Sequence, residues 1–375
     1  MTPPQWLTDQ ESLWRHCKDQ ITADAVYELL VLVADTPAPS GASSLTRGAR
    51  VRTWFEKEGL PDAGAQLELD AFRTGCDMLS WGDGGLRMLA HLDEVSYLFD
   101  GASGSPGRCW VVPYCYHLAE VPAPARVVRF TAGGAWSIVA SGHVTVRDGR
   151  HAFETDDTVQ LVPGDRICLN SDVTRSATGR VTGSLDNAAG VTASLLAAAV
   201  LCRLGVPFSL ALTDEEEGPS GAASQTIARG AARLLHHLPD APLTVAVDIH
   251  GVPDGDVSAV DGHHRPWGAS LAEYSSQGRG SVAPPHLYAG VEQLLYNLDD
   301  RGLVVRQNIG GYVPRSDDVV AMTRSNRVVV LGYPGMNRHF DQGHPAAHLE
   351  DLVHLAIFLV VLAVAVDGGH LAVDW

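Results

Sequence analysis

The 375-residue sequence predicts an α/β fold, a mostly parallel-stranded sheet sandwiched by helices, with a small inserted β domain. Three observations carry this expectation. Short apolar runs alternate with helix-length apolar patterns in the first and last parts of the chain. From about Leu98 to Ala177 that alternation gives way to short segments separated by Gly, Pro and Asp, with no helical periodicity. Finally, the run Phe208 to Leu212 stops against four consecutive acids, Asp214 to Glu217, and at least three other apolar runs end in His or Asp. A site assembled at the ends of neighbouring strands has this pattern. The division expected is residues 1–97 with 178–375 as one domain, and 98–177 as a barrel-like insertion serving as a lid or an oligomer contact.

The elements follow in order. Ala23 to Val33 has helical spacing, a Pro/Gly-rich turn follows at Asp35, and Ala42 to Gly59 reads as a second helix. Leu67 to Phe72 fits an edge strand. The segment Gly85-Leu-Arg-Met-Leu-Ala-His-Leu-Asp reads as an interior strand bearing His91 and Asp93 at its end. Side chains two apart on an extended chain point the same way, so Asp93 can reach the His91 imidazole. Within the insertion, Arg126 to Phe130, Trp136 to Ala140 and His143 to Val146 are strand candidates.

Ala188 to Leu204 is an Ala/Leu-rich helix, apolar nearly all round, and Asp186 stands at its entrance, where an Asp can also serve as an N-cap. After the strand with its acids, Ala222 to Leu238 reads as a helix. Pro242-Leu-Thr-Val-Ala-Val-Asp is a buried strand closed by Asp248. An unpaired Asp is costly to bury, so Asp248 lies at the sheet's rim or binds something. Ser258 to Ser281 reads as loop, with His263-His264, like His236-His237, expected to be exposed. Pro285 to Asp299 reads as a helix, Leu303 to Gln307 as a strand and Arg315-Ser-Asp-Asp as a polar turn. Arg327-Val-Val-Val-Leu-Gly-Tyr-Pro is the last buried strand, and it delivers His339 and His344. Leu352 to Val366 is short for a membrane span and reads as a buried helix.

Composition limits the function. The hydrophobic content of 45% suits two packed cores, and a formal charge of −17 argues against a nucleic-acid surface or adhesion to anionic membranes. The six cysteines form no Cys-x-x-Cys pair, which suits reduced thiols in a cytoplasm. The start, Met-Thr-Pro-Pro-Gln-Trp, lacks a basic segment followed by an apolar core, so a secretory signal is not expected. Nitrogen and carboxylate groups gathered without thiolate suit zinc, cobalt or manganese.

The ordered motifs Ala38-Pro-Ser-Gly, Ala90-His-Leu-Asp-Glu-Val, Ser184-Leu-Asp-Asn-Ala-Ala-Gly, Glu215-Glu-Glu-Gly-Pro-Ser-Gly-Ala, Val247-Asp and Tyr333-Pro-Gly-Met-Asn-Arg-His carry a resemblance. In them the chain resembles the tetrahedral-aminopeptidase (glutamyl and deblocking aminopeptidase) family of dinuclear zinc metallopeptidases. The resemblance implies a metal-dependent aminopeptidase that removes N-terminal residues from short peptides with a free N-terminus. It implies two divalent metal ions bridged by Asp186, with His91 and Asp248 completing one ion and Glu216 and His339 the other. Glu215 would be the general base and Asp93 would support His91. His344 is the alternative last ligand. Relatives often hold the bond after the bridging Asp cis, here Asp186-Asn187, and they build homo-oligomers. The chain departs from the family in having Asn187 where a second Asp is common, and in a poorly matched Gly-Gly-Thr-Asp-Ala segment around Gly310-Gly311 and Ser316-Asp317. Two further readings stay open: a specialised amide or acyl-amino-acid hydrolase on the same site, and a non-catalytic binding protein.

Overall fold

The computed structural model describes residue 6 and residues 11–114, 122–218, 227–251, 266–295, 298 and 301–371. Helices α1 (Glu11–Gln20) and α2 (Ala23–Ala34) come first, the latter capped by the Thr22 hydroxyl. The expected helix over Ala42 to Gly59 is a π-helical turn, Ser44–Gly48, continued as α3 (Ala49–Lys57). Strands β1 (Gln66–Glu68), β2 (Asp77–Trp81) and β3 (Leu86–His91) enter the main sheet. A six-stranded closed barrel follows, built from β4 (Ser96–Ala102), β5 (Arg108–Pro113), β6 (Ala123–Phe130), β7 (Trp136–Arg147), β8 (Arg150–Glu154) and β9 (Arg166–Leu169). The two candidates Trp136 to Ala140 and His143 to Val146 are thus one strand, β7. The chain then makes β10 (Thr174–Arg175), β11 (Arg180–Thr182), α4 (Ala188–Leu204), β12 (Phe208–Thr213), α5 (Arg229–His237) and β13 (Leu243–Gly251). It ends with β14 (Ala269–Ala272), α6 (Pro285–Leu295), β15 (Val305–Gln307), α7 (Asp317–Arg324), β16 (Val328–Gly335), β17 (Ala346–His348) and α8 (Leu349–Asp367).

The main sheet has the order β1-β2-β12-β3-β13-β16-β14-β15, and its centre, β12-β3-β13-β16, is parallel throughout. Helices α1, α2, α4 and α8 cover one face, and α5 and α7 the other. Side chains alternate between these layers. Leu86, Met88 and Ala90 of β3 and Val245, Val247 and Ile249 of β13 join the larger core, whereas Leu89 packs under α5 and α7. By the same period of two, His91 and Asp248 fall on the α5/α7 side at the carboxyl ends of adjacent strands. Helix α8 is long and apolar enough to cross a membrane by length and composition, yet 72% of that window is buried, packed on α4, β14 and β16.

Three further expectations change. Ala269–Ala272, taken as loop, is a fully buried strand paired antiparallel with β16, because tertiary pairing outweighs the weak strand propensity of Ala and Ser. The polar turn at Ser316-Asp317-Asp318 opens α7, where the acids sit favourably in its first turn. Helix α5 starts at Arg229, and residues 219–226, with the earlier part of the expected helix, lie outside the described residues, as does His263-His264. His236 and His237 are exposed, as expected.

One buried acid makes the fold's stability depend on pH. Gly48 has no room for a side chain, since a Cβ there would lie 2.1 Å from Asp77 Oδ2. Asp77 Oδ1 accepts from the Ser44 hydroxyl at 2.5 Å and the Asp70 amide at 2.9 Å, while Oδ2 is buried without a hydrogen-bond partner. Burial pushes the Asp77 carboxyl up from 3.8 to about 7. The folded state therefore holds a proton that the unfolded chain releases, and stability falls as pH rises between those values. The loss is about 4 kcal/mol at roughly 1.36 kcal/mol per unit. Urea unfolding at pH 4 and pH 8 should show Asp77→Asn losing less stability over this interval than the parent protein. Equal losses would remove Asp77 as the source.

Candidate metal centre

Five elements deliver the site. His91 is the last residue of β3, Asp248 lies in β13, Asp186 precedes α4, the acids follow β12, and His339 is in the loop after β16. All five regions meet at the strands' carboxyl ends. Asp186 is not the helix N-cap. That position is held by Asn187, whose amide donates to Val247 O at 2.6 Å, while the Tyr333 hydroxyl donates to Leu185 O at 2.7 Å. These two bonds fasten the entrance of α4 to β13 and β16. The Asp186-Asn187 peptide bond is cis.

Asp186 is central. Its Oδ1 lies 3.2 Å from His91 Nε2 and its Oδ2 lies 3.4 Å from His339 Nε2, so each carboxylate oxygen faces a different imidazole. Oδ1 is buried and makes no hydrogen bond. Asp248 Oδ1 stands 3.7 Å and Glu216 Oε2 3.8 Å from His91 Nε2. His339 Nε2 is 2.9 Å from Glu217 Oε1. Two groups whose ligand atoms lie within 4.8 Å of one another therefore share a residue: His91, Asp186 and Asp248, and Asp186, Glu217 and His339. A third, His91, Glu216 and Glu217, overlaps both. His344, by contrast, is exposed, with its Nδ1 3.4 Å from the Ser171 hydroxyl.

The acidic run divides its labour in a way the sequence reading did not assign. Glu215 has φ +55°, and its side chain takes the Tyr114 hydroxyl at 2.6 Å on Oε1 and Arg233 at 2.5 Å on Oε2. It is absent from the three ligand groups, whereas Glu217, which the sequence reading left as an extra acid, belongs to two. Asp93 lies against His91, its Oδ1 3.7 Å from His91 Nδ1. Its backbone carbonyl accepts from His91 Nδ1 at 3.0 Å, while its carboxylate accepts the amides of Glu216 at 3.1 Å and Glu217 at 3.2 Å and the Ser40 hydroxyl at 2.6 Å. Asp93 thus joins the imidazole and the acidic loop in one hydrogen-bonded unit. Tyr114, Glu217 and Arg338 were missed in the sequence. Only Glu217 carried a signal there, as the third of three adjacent glutamates.

Over about nine-tenths of the chain the fold has known counterparts. A TET aminopeptidase from the marine sediment archaeon Thaumarchaeota archaeon SCGC AB-539-E09 superposes with a TM-score of 0.69 at 16% identity, over 91% of this chain and 96% of that one. The Pyrococcus horikoshii TET1 peptidase, described as assembling into a tetrahedron or a large octahedral shell, gives 0.66 at 19% identity, over 90% and 99%. This chain has the tetrahedral-aminopeptidase fold. The same fold is found in a Thermotoga maritima protein described as an endoglucanase, with a TM-score of 0.56 at 18% identity over 91% and 97%. No family model matches the sequence, and no curated protein does. Proteins of this fold bear different names for their activities, so the site has to carry the functional argument.

Within the tetrahedral-aminopeptidase fold, the electrostatics of the cluster fit cations. Burial opposes charge on both imidazoles, yet Glu216, Asp186 and Asp248 hold His91 well above its usual range, and Glu217 and Asp186 raise His339 to about 9. Burial pushes Glu216 well up, helped by Glu217 and Asp248, and raises Asp248, helped by Asp186. Carboxylates crowded against one another and imidazoles drawn towards the protonated form both gain from a shared positive ion. The unpaired Asp186 Oδ1 offers a buried lone pair, and the donor set is the nitrogen and carboxylate kind that divalent ions of the zinc group accept.

Proposed function

We propose that this chain is a metal-dependent aminopeptidase that hydrolyses N-terminal residues of short peptides. The observation that carries this reading is Asp186, whose two oxygens face two imidazoles from different parts of the chain. His91, Asp186 and Asp248 would hold one divalent ion, and Asp186, Glu217 and His339 the other, with zinc preferred and cobalt or manganese accepted. When bound, such a pair supplies Lewis acidity, lowering the pKa of a shared water and polarising the scissile carbonyl.

The chain's own residues do the rest. Glu216 is buried at the site and is not engaged with His339, so its carboxylate takes the proton of the attacking water and returns it to the leaving amine. This assignment moves the base and the glutamate ligand one residue along from the sequence expectation of Glu215 and Glu216. Asp93 positions His91 and the loop of acids. Glu215, tied to Tyr114 and Arg233, holds that loop from the outer side.

The barrel, through Tyr114 at the end of β5, reaches the site and is assigned the role of lid and subunit contact, with residues 98–177 as the inserted unit. The exposed Val112, Ile138 and Val162 are apolar side chains suited to contact with another copy. The oligomeric shells described for the Pyrococcus protein support a homo-oligomer here. Cytoplasmic residence is consistent with the five described cysteines being free, buried thiols.

The test is hydrolysis of a peptide panel with free and acetylated N-termini, using protein loaded with zinc, cobalt or manganese and its chelated form. Metal-dependent release of N-terminal residues from the free peptides alone is the expected result. Cleavage confined to acylated amino acids would favour the specialised amide hydrolase, and silence without metal binding would discard catalysis.

A further inference from the structure

Arg338 immediately precedes His339 and sits beside the bridging carboxylate, its Nε 3.5 Å from Asp186 Oδ2. That oxygen is the one facing His339, so the guanidinium stands at the Glu217/His339 end of the cluster. The contact is a single off-line approach rather than a two-pronged pairing. Among the described residues, no hydrogen bond engages the terminal nitrogens of Arg338, and its side chain is 32% exposed while Asp186 is 5% exposed. Two other arginines near the site are engaged differently. Arg233 pairs with Glu215 through a terminal nitrogen, and Arg47 is wholly buried on Glu94.

A planar fork of donors left open at the mouth of a buried site is suited to a carboxylate. The distance decides which carboxylate. Consecutive α-carbons are about 3.8 Å apart, so the α-carboxylate one residue beyond the scissile bond falls within the reach of a guanidinium adjoining the reacting centre. We propose that Arg338 binds the free α-carboxylate of the leaving amino acid, which makes dipeptides and similarly short substrates the preferred class. This rests on the hydrolase reading above and narrows its substrate. A longer peptide has an uncharged amide at that position and forfeits the contact.

The test is calorimetric binding of two non-hydrolysable probes, leucine and leucinol, to the metal-loaded full chain and to Arg338→Met, with metal content measured on the same samples. The parent should bind leucine about 10- to 100-fold more tightly than leucinol, the range for a charge-assisted contact. Arg338→Met should lose that preference, and Arg338→Lys should restore part of it. A third probe, glutamate with its α-carboxylate reduced to the alcohol, is compared with glutaminol to separate an acidic side chain from the α-carboxylate. Preference for the side-chain acid alone would overturn the assignment, as would equal binding of leucine and leucinol by the parent. Protein that binds two metal equivalents without discriminating leucine from leucinol loses this inference and keeps the hydrolase reading. Protein that binds no metal overturns the hydrolase reading and this inference with it.

Discussion

Asp186→Ala should abolish binding of both metal ions, and turnover should fall to background. The physical reason is that one carboxylate faces both imidazoles, at 3.2 Å through Oδ1 and 3.4 Å through Oδ2. Alanine therefore takes a ligand from two of the three groups at once, leaving His339 with Glu217 alone, and it removes the one carboxylate that joins that end to His91 and Asp248. The cost should far exceed the about 10- to 100-fold in metal affinity that loss of a merely supporting partner produces. Elemental analysis after gel filtration reads the outcome directly. Two retained equivalents in the alanine variant would show that Asp186 bridges nothing. Asp186→Asn is the companion variant, because it keeps the volume at the entrance of α4, where Asn187 and Tyr333 fasten the chain, and separates loss of ligation from loss of packing.

The second large effect separates three adjacent glutamates. Glu216→Gln should keep both metal equivalents and lower kcat by about 100- to 10,000-fold, the contribution of a general base. Glu217→Gln should instead lose metal at the His339 end, since its oxygen stands 2.9 Å from His339 Nε2. Glu215→Gln should retain metal and much of the turnover, because its carboxylate is spent on Tyr114 and Arg233, and an amide can still accept from the Tyr114 hydroxyl. Metal content and kcat measured together on the three variants give distinct signatures. If Glu215→Gln were the inactive, metal-loaded variant, the base would be Glu215, as the family resemblance implied.

Much of the site was legible because it follows local rules. A run of alternating apolar residues fixes which side chains share a face, and that is enough to bring His91 and Asp248 to one side of adjacent parallel strands. A long apolar helix preceded by Asp-Asn marks Asp186 at a helix entrance. The preference for His339 came instead from the family resemblance, and the fold brings that residue to Asp186 while His344 is exposed. The change of texture after Leu98 announced a separate β unit, and β4 to β9 close there into a barrel.

By itself, then, the sequence determined the layers, the alternation of strand and helix, and the residue types that gather at the strand ends, since each depends on periodicity within one segment. Only the tertiary structure decided which glutamate meets which imidazole. Glu215 adopts a positive φ and is held by Tyr114 from the barrel, 101 residues away in sequence, and by Arg233 from α5, and this turn sets the direction of Glu216 and Glu217. The strand at Ala269–Ala272 was settled in the same way, by pairing with β16 rather than by its own residues. Arg338 belongs with these, because an arginine before a histidine has no meaning in sequence until the fold sets its guanidinium beside the carboxylate that both imidazoles face.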